Sequence, residues 1–201
     1  MSGEGPSARD VILAAVRQAR PPAVPRVESP APAAPVVGAA ESSLVDAFTA
    51  AAIASGARVT VCSGDEVVRV IEGALAGARS VLSFADHIPS HHVPAGDLHE
   101  LADLDALVCE PELGVAENGA VWIASSSDRL RAALFLAARV VVVVHESELV
   151  ANLHEAYARI DVTAHPFGAF VAGPSKTADI EQSLVIGAHG PKALSIVVVR
   201  A

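Results

Sequence analysis

Apolar positions change their spacing repeatedly along this chain, and each change predicts a new element. In "ARDVILAAVRQAR", residues 8 to 20, Val11, Ile12, Ala15, Val16 and Ala19 recur at helical spacing and form one face of a short amphipathic helix. Six prolines then crowd residues 21 to 35, a density that no helix or inner strand tolerates, so this stretch reads as an extended linker. Residues 1–38 are therefore expected to be a helix plus a Pro-rich linker, and residues 39–201 a single α/β domain.

Beyond residue 40 the pattern alternates. "ESSLVDAFTAAAIASG" predicts a helix stopped by Gly56, and "ARVTVC" a strand. "GDEVVRVIEGALAG" predicts a helix, and "ARSVLSF" and "DALVCE" predict strands. "SSSDRLRAALFLA" opens with serines and Asp128, residues suited to capping a helix. "RVVVVV" shows no alternation, so it should be buried on both faces, as in a parallel sheet. "SELVANLHEAYARI" predicts a helix, "AFVAG" a strand, the residues after Ser175 a helix, and "LSIVVV" a closing strand. Strands alternating with helices imply a three-layer αβα domain around a mostly parallel sheet, which binds ligands at the carboxyl ends of its strands.

Composition narrows the class. The chain has 201 residues, 52% apolar but only 3% aromatic, so its core must come from aliphatic side chains. A net charge of −9 without a basic stripe argues against nucleic acid and against an anionic membrane surface. The longest apolar run is too short to cross a bilayer, and the first ten residues lack a signal-peptide pattern. Cys62 and Cys109 are isolated, so they form neither a CxxC pair nor, alone, an iron–sulfur site. A reduced, cytoplasmic protein is the expectation.

Four stretches carry candidate chemistry. In "GPSKTADIEQS", Gly173 permits close backbone approach, Ser175 and Thr177 supply hydroxyls, and Lys176 supplies charge at an expected helix start, a combination suited to a carboxylate or phosphate. A capped helix with a solvated lysine fits the same residues equally well. In "GVAENGAVWI", Asn118-Gly119 predicts a tight turn that displays Glu117, usable as nucleophile or base, or simply polar at a turn edge. In "AHGPKALSIVVV", His189 and Lys192 flank a Gly-Pro turn; a hydrogen-bonded turn histidine is the simpler reading. "DHIPSHHVPAGDLHE" holds His87, His91, His92 and His99 with three acids, yet Pro89 prevents a regular helical pair, so a polar surface loop is preferred to a metal site.

With these residues in view, "GPSKTADIEQSLVIGAHGPKALSIVVV" resembles the C-terminal signature of the lactate-utilisation (LUD) domain family, and "GVAENGAVWI" is similar to its second signature. The opening helix resembles the family's start. The resemblance implies a fold similar to the group of glucosamine-phosphate isomerase, ribose-phosphate isomerase and the CoA transferases. "AENG" also looks like the Ser-Glu-Asn-Gly element of class I CoA transferases, which makes Glu117 the nucleophile and CoA a candidate ligand, although Ala116 replaces the serine.

The family's role implies a component of a multi-protein system that oxidises L-lactate to pyruvate. This chain would hold no redox cofactor, and iron–sulfur clusters would reside in partner proteins. The expected site comprises Gly173, Ser175, Lys176 and Thr177 with Asn118, Gly119 and His189, taking a small carboxylate or phosphate. The first helix is expected to pack back on its own domain or on a neighbouring subunit, with a partner-docking arm as the alternative reading. Two competing expectations are a standalone CoA-transferase-like or sugar-phosphate-isomerase-like enzyme using Glu117, and a metal protein using the histidines between 87 and 99.

Overall fold

The computed structural model describes residues 7–19, 43–86, 88–93, 96–180, 183–187 and 189–200. The chain divides into two compact units, residues 1–33 and 34–201. The first contains α1 (Ala8–Gln18), whose start is fixed by the Ser7 hydroxyl accepting the Asp10 amide at 3.2 Å. The expected Pro-rich linker lies outside the described residues.

In the second unit the order is α2 (Leu44–Ala54), β1 (Arg58–Ser63), α3 (Val67–Ala74), β2 (Val81–Ser83), β3 (Ala106–Cys109), β4 (Leu113–Val115), β5 (Ala120–Ser125), α4 (Asp128–Leu136), β6 (Arg139–His145), β7 (Leu149–Val150), α5 (Leu153–Arg159), β8 (Phe167–Val171), β9 (Lys176–Ile180), β10 (Ser183–Ile186) and β11 (Ala193–Arg200). No helix among the described residues is long and apolar enough to cross a membrane.

Five strands form an all-parallel sheet in the order β1-β11-β6-β3-β2. The valine run is its centre. Val140, Val142 and Val144 face one core, with Phe48 and Ala52 of α2 and Leu130 and Leu134 of α4. Val141 and Val143 face the other, with Val67 and Ile71 of α3. Helices thus cover both faces, as the continuous apolar pattern requires. Each fully buried valine stabilises the fold by about 1.5 kcal/mol or more. The architecture is the expected three-layer α/β arrangement with a mostly parallel sheet.

A second sheet, ordered β7-β4-β5-β8, packs beyond α2 and α4, with Val121 and Ile123 in the same core as those helices. Its other face carries Leu113, Val115 and Trp122, covered by Ala156 of α5.

Two expectations need correction. Residues 147–160 do not form one helix: Leu149–Val150 pairs with β4, and Asn152 then starts α5 by accepting the Glu155 amide at 3.0 Å. Nor does a helix follow Ser175. Residues Lys176–Ile180 and Ser183–Ile186 pair antiparallel as a hairpin. The backbone of Ser175 is held from both sides, its N–H donating to Pro191 and its carbonyl accepting from Gly187, each at 2.9 Å. Those bonds, and the β-branched Val185 and Ile186, favour extended chain over the local capping signal.

Candidate functional site

Three separated segments converge on the C-terminal end of α2. Gly56, at φ +94°, takes the chain out of the helix as the sequence predicts. The Ser55 hydroxyl donates to the Asn118 carbonyl at 3.2 Å, and the Lys176 ammonium donates to the Ser55 carbonyl at 2.6 Å. Lys176 thus sits at the negative end of the helix, where a cation is stabilising. Gly119 (φ +68°) and Gly173 (φ +70°) sit against the same turn: a Cβ at Gly119 would overlap the Ala52 amide, and one at Gly173 would overlap the Ser55 carbonyl. Lys176, Asn118, Gly119 and Gly173 are therefore brought together around the end of a helix. They surround its C-terminus, whereas the sequence had placed an anion at a helix N-terminus.

Asn118-Gly119 forms the expected turn between β4 and β5. The Gly119 amide donates to Val115 at 2.8 Å, and the Asn118 Oδ1 accepts from the Ala120 amide at 3.0 Å. Glu117, on the near side of that turn, points elsewhere. Its carboxylate accepts the Leu153 amide at 3.1 Å, and its own amide donates to Ala151 at 3.0 Å. It therefore binds the first turn of α5, a position favourable for an acid.

Ser175 and His189 form a second group. They line a cavity of about 240 Å³ with Gly173, Phe135 and Phe170. Lys192 and His189 line a larger adjoining cleft of about 640 Å³, whose wall also holds Arg79, Asp103 and Asp105. Asp105 accepts the Arg79 and Ser80 amides at 2.7 and 3.3 Å, and these bonds hold its carboxyl below the usual range. The backbone of Thr177 lies in β9, opposite Val185.

The described histidines of the 86–100 stretch form no common cluster with acids. His91 stacks edge-on with His92 at 5.8 Å, while the His99 Nδ1 is 2.7 Å from Asp97. His87 lies outside the described residues. Among the described residues no group of three His, Cys, Asp or Glu side chains is arranged to hold a metal.

Location also differs from expectation. The loop after β8 is at the carboxyl end of a strand, but that strand belongs to the second sheet. Relative to the parallel sheet, Ser175 meets Pro191 just before β11, and Lys176 meets Ser55 just before β1. The group therefore lies at the amino edge. The same edge holds two arginines that sequence reasoning passed over, Arg58 and Arg139, the first residues of β1 and β6. Their signal was a cation opening each of two apolar strands.

Residues 90–199 match the LUD domain, and this segment contains Glu117, the 173–177 loop and His189. Lactate utilization protein C of Geobacillus kaustophilus is 34% identical over 94 residues, covering 44% of this chain and 39% of that protein. That match spans well under two thirds of the relative's length. Lactate utilization protein C of Deinococcus radiodurans aligns nearly end to end, 28% identical over 202 residues, covering 94% of this chain and 92% of that protein. The fold is similar to the crystal structure of a DUF162 family protein from Deinococcus radiodurans, with a TM-score of 0.56 and 22% identity over 78% of this chain and 96% of that one. With more than half of its length matched, the chain belongs to the LUD domain family.

Proposed function

We propose that this chain is a component of a system that converts L-lactate to pyruvate, and that it serves there as a subunit without a redox cofactor of its own. The observation that carries this reading is the near end-to-end likeness to a relative named lactate utilization protein C. The oxidation removes two electrons and two protons from lactate. Cys62 and Cys109 belong to cores on opposite faces of the parallel sheet, and two separated thiols do not make up the four thiolates of a cluster. On this reading the electrons leave through iron–sulfur partner proteins. The contribution of this chain is assembly, or the holding of a small carboxylate by Ser175 and His189 with the neighbouring Lys192.

The standalone-enzyme reading receives less support, because the Glu117 carboxylate is engaged with the start of α5. The test is genetic. A strain lacking this chain should fail to grow on L-lactate as sole carbon source while growing normally on glucose, and the wild-type chain should restore growth. Unchanged growth on lactate without the chain would sink the proposal.

A further inference from the structure

Alternation along three adjacent strands puts an unusual set of side chains on the α3 face of the parallel sheet. Cys62 of β1, Val197 and Val199 of β11, and Val141 and Val143 of β6 all lie in the core under α3. Side chains two residues apart share a face. Moving toward the amino edge, the same face therefore carries Thr60 and Arg58 on β1, Ser195 on β11 and Arg139 on β6. Apolar residues give way to polar ones where the helix runs out: α3 ends at Ala74, and a Cβ at Gly73 would meet nothing within 4 Å.

The result is a cleft of about 430 Å³ lined by Arg58, Thr60, Arg139 and Ser195, with Gly73 and Val70 on the α3 side. That volume is within the range of small-molecule sites. Arg58 is paired with Ser195 in the strand register, and Ala193, two residues earlier on β11, is paired with Arg139. The arginines thus straddle β11, with Cα atoms about 12 Å apart from standard strand spacing and rise. Both arginines line the cleft, one on each side of the strand that carries Ser195. Arg139 is anchored by one nitrogen, Nη1, which donates to the Ala74 and Ala76 carbonyls at 3.4 and 3.1 Å. Among the described residues no carboxylate forms an ion pair with either arginine. Among the described residues no acidic side chain lines this cleft, whereas two line the cleft beside Lys192.

We propose that the Arg58–Arg139 cleft is an oxyanion site, binding the carboxylate or phosphate head group of a small organic molecule. The guanidinium fork matches two oxygens of such a group, Thr60 and Ser195 add hydroxyl donors, and Val70 and Val197 offer an apolar wall for a short carbon body. This site is distinct from the 173–177 loop and does not depend on the role in lactate oxidation.

The test is calorimetric titration of the purified full chain with L-lactate, pyruvate and inorganic phosphate, at low and at raised salt. At least one of the three should bind saturably and more weakly at raised salt, and the arm that binds separates a carboxylate from a phosphate. Arg58→Ala should weaken binding tenfold or more; its side chain is exposed, so folding should persist. Gly73→Leu, which fills the cleft while leaving both arginines in place, should abolish binding. Arg159→Ala, at an exposed cation on α5 that does not line this cleft, should leave it unchanged. Absence of saturable binding by all three anions would overturn the proposal. So would binding that survives both Arg58→Ala and Gly73→Leu in variants whose melting shows them folded. Unchanged growth on lactate of the strain lacking the chain, together with saturable anion binding by the purified chain, would reject the functional role above and leave this site standing.

Discussion

The Lys176 ammonium reaches across 121 residues of sequence to the Ser55 carbonyl, 2.6 Å away. One of the chain's two lysines is thereby joined to the end of α2, and the loop that carries it is tied to the turn that leads into β1. This contact gives the loop a structural duty whether or not it meets a ligand.

Lys176→Ala should lower stability by about 0.5–1 kcal/mol, the usual scale for a cation at a helix C-terminus. Thermal melting at two salt concentrations checks this, and the loss should shrink as salt rises. If melting is unchanged but a lactate-induced shift disappears, Lys176 binds ligand rather than holding the helix.

Gly119→Ala and Gly173→Ala should each cost roughly 2–4 kcal/mol, the scale of strain combined with a backbone clash. Both residues have positive φ, and both would drive a Cβ into the last turn of α2. Urea unfolding measures the loss. Alanine at the exposed Gly77, which also has positive φ but open space around its Cβ, should cost less.

Glu117→Ala should destabilise by about 1 kcal/mol through loss of the bond to the Leu153 amide, comparable to losing a helix cap. Glu117→Gln keeps an acceptor oxygen and should recover much of that. A catalytic Glu117 would behave differently: both variants would lose activity equally, whatever their stability. Urea unfolding alongside an acyl-CoA transfer assay separates the two patterns.

Cys109 gives an alkaline signature. Burial pushes its thiol from 9.0 up to about 12 in the folded protein. A raised folded pKa means the stabilising contribution is fully present below pH 9 and is lost as pH rises from 9 toward 12. Melting temperature should fall over that window, and Cys109→Ala should flatten the fall. Below pH 9 the native Cys109 should resist alkylation, and unfolding should expose it.

The parallel sheet was legible because its information is local. Five successive valines admit only a strand covered on both faces, and Gly56 and Gly119 occupy the positive-φ positions their turns demand. The hairpin after Ser175 was not legible. Its first residues resemble a capped helix start, and what decides against a helix is the hold of Pro191 and Gly187 on the Ser175 backbone. Leu149–Val150 was hidden for the same reason, since its pairing partner, β4, is more than thirty residues away. Arg58 and Arg139 were each visible as a strand's first residue. Their shared cleft required the knowledge that β11 lies between β1 and β6.

That strand order also governs when the protein can acquire its shape. During synthesis β1, β2, β3 and β6 all emerge before β11, yet β1 has no neighbour in the sheet until β11 is made. The nascent chain therefore carries β1 unpaired through most of its translation, and an uncovered valine edge from the completion of β6 until β11 is made. It is in that interval, rather than after completion, that the polypeptide is most exposed to aggregation and most dependent on chaperones.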